Sequence, residues 1–234
     1  MYRALSSLLF VMTLILTLPT AADQPDDEPI DIQADQGRYD GAEGATQLSG
    51  NIRITRGQTV VHADEGHARQ GADRSYERIE LEGNPATWRS VDTEGIEIRG
   101  QARRVVLELP DNRVSMMQTV RIERGDLVVN AESGTAFHVD GRYHRVELDG
   151  APANWRMTTD EGDRIEGESN RIIYHLVDQQ VIMIGNSRVR EPRGSFSGQR
   201  LLYNLQTQAT EGEGGIHMVI EPEARDEMPD NRPD

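Results

Sequence analysis

The sequence contains no cysteine and no lysine, so all of its basic side chains are arginine or histidine. Without cysteine, neither a disulfide framework nor a lipid-modified N-terminal cysteine is available, and the burial of apolar surface must stabilise the fold. Aromatic residues make up only 5% of the 234 residues, whereas there are 22 glycines. Few aromatics, many glycines and short Val/Ile/Leu runs favour short strands and tight turns over helical packing.

Acidic residues outnumber basic ones, by 40 to 25, so the formal net charge is −15. A nucleic-acid partner is not expected, since binding a polyanion requires basic residues that release its counterions. His62 and His67 have no third ligand nearby in the sequence, so we expect them to face solvent on opposite faces of a strand, and no metal or other cofactor is predicted. The sequence has no nucleophile elbow and no phosphate loop, so it predicts no enzyme. A secreted β-solenoid enzyme acting on polysaccharides remains an alternative.

Both ends of the chain are predicted to lie outside the folded domain. Residues 1–22 have one basic residue, an apolar core and two terminal alanines, the pattern of a secretory signal peptide, although an uncleaved membrane anchor is the alternative. Residues 23–28 form an acidic linker, and residues 222–234 form an acidic, proline-bearing tail that we expect to be disordered. The folded domain is therefore expected to span residues 29–221.

The central part of the chain repeats itself. The stretch "YERIELEGNPATWRS" at 76–90 resembles "YHRVELDGAPANWRM" at 143–157, and matching residues are 67 positions apart. The match continues, so that the units cover about 76–142 and 143–209. A fixed period indicates stacked supersecondary units. We expect about three strands per sheet in each unit, so that the second unit lengthens the fold by roughly 15 Å.

Apolar and polar residues alternate within each unit, which is typical of strands buried on one face. The alternation predicts two facing sheets, a sandwich or an open-ended roll, with apolar side chains between them. A closed core with no ligand is the alternative. On alternation alone, the inward-facing residues are Ile52, Ile54, Leu127, Val129, Phe137, Met183, Phe196 and Tyr203.

Several of these stretches, in this order, resemble the OstA-type domain family of lipopolysaccharide-transport proteins. They are "PIDIQAD" at 29–35, "LSGNIRITRG" at 48–57, "VHADEG" at 61–66, "GNPATW" at 83–88 and "RGQARRVVLEL" at 99–109. The resemblance implies an all-β, open-ended jellyroll, or β-taco, of two facing antiparallel sheets, here extended by the 67-residue repeat.

The resemblance also implies a function and a set of residues. A member of this family is expected to be a periplasmic carrier that shields the acyl chains of lipopolysaccharide, through its lipid A moiety, during transfer from the inner to the outer membrane. A membrane-anchored partner with the same fold is the alternative. The matching motifs assign the lipid-lining role to Ile30, Ile32, Trp88, Leu107 and Leu109, and the internal repeat assigns it to Trp155, Tyr174 and Leu176. We expect the two tryptophans to lie at the mouth of the roll.

An open roll leaves the first and last strands unpaired along one side. We expect these edges, with Ile30, Ile32, Ile216, Met218 and Ile220, to pair with partners by β-augmentation. The partners implied are the inner-membrane extraction complex and the outer-membrane translocon, and copies of the chain are expected to assemble head to tail. Edges shielded by the acidic flanking segments are the alternative.

Overall fold

The computed structural model describes residues 30–221 except 74, 92–94, 140–141, 160–161, 176–177, 179, 205–206 and 208, and these described residues form strands without any helix. The predicted signal segment, linker and tail lie outside them, and no helix in the described part could cross a bilayer. The strands are β1 Asp31–Gln33, β2 Gln36–Asp40, β3 Ala45–Arg56, β4 Thr59–Gln70, β5 Tyr76–Val91, β6 Glu97–Glu108, β7 Arg113–Arg124, β8 Leu127–Val139, β9 Arg142–Thr158, β10 Arg164–His175, β11 Gln180–Glu191, β12 Gly194–Asn204, β13 Thr210–Glu213 and β14 His217–Ile220.

All strands belong to one antiparallel sheet. From β3 to β12 each long strand pairs with the next one along the chain, and nothing joins the first strands to the last among the described residues, so the sheet is open. Two short strands cover each edge. At one edge β1 and β2 both pair with β3, and at the other β13 and β14 both pair with β12.

Every long strand is interrupted by a bulge near its middle. The register shifts between each adjacent pair from β3/β4 to β11/β12, and the shifts lie at the same level across the whole sheet. These bulges divide the sheet into two halves. We call the half that contains Trp88 and Trp155 the Trp half, and the half that contains Tyr174 and Tyr203 the Tyr half. Because a bulge bends its strand, the row of bulges bends the entire sheet.

The two halves face each other. Trp155 lies on β9 in the Trp half and Tyr203 lies on β12 in the Tyr half, yet their ring centroids are 5.9 Å apart. In a flat sheet, three strand spacings of about 4.8 Å would separate them by more than 14 Å. The same conclusion follows from burial, since one apolar face of the sheet is buried and the described residues provide no second layer to cover it.

The expected all-β, open-ended roll is therefore confirmed, with the difference that its two facing layers are halves of one continuous sheet. The 67-residue repeat stays a prediction, but its strand count was wrong. Four strands, β5 to β8, lie in the first predicted unit and four, β9 to β12, in the second. Each contributes to both halves, so four strands account for about 19 Å of the length of the roll.

Candidate interior lipid-binding face

The buried face carries rows of apolar side chains that cross the sheet from edge to edge. One row in the Trp half follows the strand pairing through Ile54, Val61, Trp88, Gly100, Ile122, Val129, Trp155, Gly167, Val189 and Phe196. The corresponding row in the Tyr half runs through Ile79, Leu107, Val114, Ala136, Val146, Tyr174, Val181 and Tyr203. The row in the Trp half crosses ten strands, from β3 to β12, and the row in the Tyr half crosses eight, from β5 to β12.

Each tryptophan lies over a glycine on the neighbouring strand. A Cβ added at Gly100 would overlap the indole of Trp88, and one added at Gly167 would overlap that of Trp155. Both indoles are buried, with 6% of each residue exposed. The expectation that they lie at the mouth was wrong, because the prolines before them belong to mid-strand bulges and not to turns at a strand end. Glycine therefore makes room for the ring within the interior row.

Most of the residues predicted to line the interior do meet there. Those in the buried cluster or packed against it are Ile52, Ile54, Trp88, Leu107, Leu109, Leu127, Val129, Trp155, Tyr174, Met183, Phe196 and Tyr203. They come from both halves and from most of the long strands. The interior is packed and not an open trough: Ile52 and Leu107 are each 1% exposed and Met183 is fully buried.

Four predicted lining residues do not join this cluster. Phe137 lies on the outer face, where the guanidinium carbon of Arg145 is 4.3 Å from its ring centroid. The bulge in β8 changes the phase of the alternation, so that Gly134 and Ala136, and not Phe137, point inward. The other three are Ile30 and Ile32, which are exposed at the sheet edge, and Leu176, which lies outside the described residues.

The bulges also correct the expected placement of two histidines. His62 and His67 were expected on opposite faces, but the bulge between them puts both on the exposed outer face. No group of three potential metal ligands occurs among the residues that the structure describes.

Among the polar groups of the interior, Tyr174 and Tyr203 were predicted to lie there, whereas Arg124 was not. Burial raises the pKa of Tyr174 to about 12, although the charge of Arg124 acts in the opposite direction. Arg124 is itself buried, opposite Ile98 at the end of β7. In the sequence it stands next to Gly125, at the connection between β7 and β8, and gives no sign of burial. Burial also raises the pKa of Tyr203 to about 12, with a further contribution from the negative charge of Glu191.

Arginine and glutamate alternate on the outer face and pair across strands. Arg78 contacts both Glu80 and Glu108, at 3.3 and 3.0 Å, and Arg104 pairs with the same Glu80. A shallow depression of about 390 Å³ lies between outward arginines of the Trp half, including Arg53 and Arg121. The arginines of these pairs extend partly into solvent, whereas the side chain of Glu80 is only 17% exposed, so each pair is partly screened by water and contributes modestly to stability.

Both edges expose apolar side chains in the Trp half. Ile32 on β1 is 53% exposed, and Met218 and Ile220 on β14 are 55% and 77% exposed. Ile216, just before β14, is also exposed. The predicted edge residues are thus where they were expected, while β2 and β13, which cover the Tyr half of each edge, were not foreseen.

Comparison with known proteins finds a family whose model matches most of the chain. A family model described as "LptA/(LptD N-terminal domain) LPS transport protein" matches residues 31–133 and again 111–209. The chain is 24% identical over 158 residues to the lipopolysaccharide export system protein LptA of Haemophilus influenzae, covering 66% of this chain and 90% of that protein. It is 26% identical over 110 residues to LptA of Escherichia coli K12, covering 47% of this chain and 60% of that protein.

Among solved structures, the chain resembles LptH of Pseudomonas aeruginosa, described as the LptA-homologous periplasmic component of the lipopolysaccharide transport device. The match has 17% sequence identity and a TM-score of 0.35, and covers 85% of this chain and all of the other.

Proposed function

Because the chain belongs to the family of LptA and LptD N-terminal domain lipopolysaccharide-transport proteins, we propose that it is a periplasmic carrier. In this proposal it shields the acyl chains of lipopolysaccharide between the Trp half and the Tyr half during transfer from the inner to the outer membrane, and it catalyses no reaction. The observation that supports this most directly is the apolar interior face, which continues from β3 to β12 and ends at two open edges.

The packed interior determines how a lipid would enter. Acyl chains can bind only if the two halves move apart, so that contacts between the halves are exchanged for contacts with hydrocarbon. Each buried CH₂ contributes about 0.8 kcal/mol, so chains of lipid A length offer enough apolar area to replace those contacts. The exchange keeps apolar surface out of water in both states. A small net free-energy change suits a carrier, which must also release its lipid.

The lipid-binding proposal can be tested with photocrosslinking side chains in cells. We expect crosslinkers at Trp88, Leu107, Trp155 and Tyr174 to capture lipopolysaccharide, because these positions lie on the interior face. Phe137 provides a matched control, since it is an aromatic on the same sheet that lies on the outer face. Absence of lipopolysaccharide at all four interior positions, with correctly folded protein, would refute the carrier proposal.

We also propose that the edges bind the partners. The inner-membrane extraction complex and the outer-membrane translocon would each add a strand at one edge, and copies of the chain would join head to tail in the same way. The exposed backbone and apolar side chains of β1 and β14 support this.

Assembly through the edges would depend on backbone hydrogen bonds. Ile32→Pro or Met218→Pro should therefore abolish concentration-dependent assembly in light scattering, because proline cannot donate a backbone hydrogen bond. Ile32→Thr keeps the N–H and should retain assembly. If both proline variants assemble as the unmodified chain does, edge pairing is the wrong mode.

A further inference from the structure

Two hydrogen-bond donors on the interior face have no acceptor. They are the indole Nε1–H of Trp155 and the hydroxyl of Ser187, and both atoms are fully shielded from solvent without a hydrogen-bond partner. The residues are 6% and 1% exposed. A buried donor without a partner lowers stability, so such groups call for an explanation in terms of function.

The two donors lie on the interior face of the Trp half, on strands β9 and β11, which are separated by β10. The indole of Trp155 reaches from β9 over Gly167 on β10, and a Cβ at Gly167 would overlap Nε1 itself. Gly167 pairs with Val189 on β11, and Ser187 is the next inward-facing residue along that strand. Both donors therefore belong to the same region of the Trp half.

A neighbouring serine, Ser169, has a buried hydroxyl that does donate a hydrogen bond. Ser169 is fully buried, next to Gly167 on the same face of β10, and its hydroxyl donates to the carbonyl oxygen of Arg171 at 2.7 Å. Ser187 makes no such bond. The Ser187 hydroxyl therefore lacks the backbone acceptor that the Ser169 hydroxyl has.

The corresponding region 67 residues earlier lacks both serines, and its buried Ser90 has partners, since its hydroxyl accepts from the Thr59 hydroxyl at 3.4 Å and donates to the carbonyl oxygen of Val91 at 3.5 Å. Trp88 stands where Trp155 does, but Ala102 and Val120 take the places of Ser169 and Ser187. All three are buried on the interior face. The region around Trp88 thus offers a ligand mainly hydrocarbon contacts, whereas the region around Trp155 adds unused donors.

We propose that Trp155 and Ser187 form a subsite for an oxygen atom of an acyl chain, either the carbonyl oxygen of an ester or amide linkage or a hydroxyl on the chain. An indole N–H can only donate, so its complement must be an acceptor. The surrounding side chains are mainly apolar, so that acceptor must belong to a molecule that is otherwise largely hydrocarbon. A phosphate or carboxylate would lose too much hydration at this depth.

This inference rests on the proposed carrier function, because it requires acyl chains between the two halves. It adds that the interior distinguishes lipids by the oxygens of their linkages, and that the subsite fixes how far along the roll a chain is inserted. The region around Trp155 would hold the linkage, and the hydrocarbon would extend over neighbouring rows.

A matched pair of lipids tests the subsite with the full-length mature protein. Dimyristoylphosphatidic acid carries two ester carbonyls, and its ditetradecyl ether analogue has CH₂ in place of each. We expect the protein to bind the ester lipid about 3- to 10-fold more tightly than the ether, the range expected of one neutral hydrogen bond. Ser187→Ala should lower this ratio by weakening ester binding, with ether binding unchanged, because one of the two donors is lost. Ser169→Ala is the control and should leave the ratio as it is.

Thermal unfolding supplies a second measurement. Because Ser187→Ala removes a hydroxyl without a partner, it should leave the Tm of the lipid-free protein unchanged or raise it. A lowered Tm together with an unchanged ester-to-ether ratio would mean that the hydroxyl serves the fold, for example through a buried water, and would overturn the inference. An unmodified protein that binds both lipids equally well would also overturn it. If it binds neither lipid, the carrier proposal itself fails.

Discussion

The bulge of β7 contains a backbone conformation that a substitution should relieve. Gln118 and Thr119 have φ values of 62° and 53°, in the left-handed region. Thr119 is β-branched, and such residues rarely adopt positive φ because their Cβ substituents crowd the backbone. The bulges of β3 and β11 have the same two-residue geometry but use Gly50-Asn51 and Gly185-Asn186, residues that tolerate it.

Thr119→Asn should therefore stabilise the protein. A left-handed conformation costs an ordinary residue about 1–2 kcal/mol, and asparagine much less. The substitution loses the hydrogen bond of 2.7 Å from the Thr119 hydroxyl to the carbonyl of Gln118. Thr119 is exposed, so a hydrogen bond to water replaces much of this one. The net gain in the free energy of unfolding should be about 1 kcal/mol, and the midpoint of urea unfolding should rise without a change in the m-value.

The same substitution elsewhere in the sheet should have the opposite effect. Thr87 lies within β5 on the outer face of the Trp half and is not among the residues with positive φ. Because threonine favours strands and asparagine does not, Thr87→Asn should lower stability by up to about 1 kcal/mol. If Thr119→Asn destabilises the protein as much as Thr87→Asn does, the bulge conformation is not a source of strain and the reasoning is wrong.

Three further predictions follow from the packing and the charges. Gly100→Ala should lower the free energy of unfolding by about 1–2 kcal/mol through overlap with Trp88, and should cost much less in a Trp88→Phe background, as measured by a double-mutant cycle. Since burial raises the pKa of Tyr203 to about 12, stability should fall as the pH rises from about 10 to 12, and Tyr203→Phe should reduce that fall. Burial opposes the charged form of Glu80, but hydrogen bonds and charge interactions with Arg104 and Arg78 together outweigh it and lower the pKa of that carboxyl. The destabilisation caused by Glu80→Gln should therefore be full at neutral pH and shrink as the pH falls below about 4.5.

Alternation of apolar residues was enough to predict the strands and most of the interior, because the period of two holds within each half-strand. It failed where a bulge changed the phase. Leu127 and Val129, at odd-numbered positions, point inward in the Trp half of β8. Beyond the bulge the inward positions are the even-numbered Gly134 and Ala136, so continuing the odd-numbered pattern to Phe137 predicted the wrong face. A phase change of this kind is a matter of one extra residue, which a hydrophobic pattern alone locates poorly.

Some bulges nevertheless leave a trace in the sequence. Gly50-Asn51 and Gly185-Asn186 interrupt alternating stretches with residues that favour positive φ, and Pro85 and Pro152 interrupt two others. The abundance of glycine suggested short strands and tight turns in two facing sheets, but these glycines and prolines do not end a strand. Each actually marks the bend of one long strand. The burial of Arg124 was missed for a different reason. It depends on side chains of the opposite half of the sheet, and the local sequence pattern contains no information about them.

The row of bulges also explains why an open roll of this kind can vary in length. Each long strand bends at its own bulge and supplies apolar residues to both halves, so it completes its share of the interior without a contact between the first and last strands. A closed barrel fixes its strand number through closure, whereas here an added strand needs only its neighbour. Adding four strands with their bulges at the same level therefore lengthens the interior face and leaves both edges unchanged. In the proposed function, the edges and the interior would for this reason serve separate partners, one by strand pairing and the other by apolar contact.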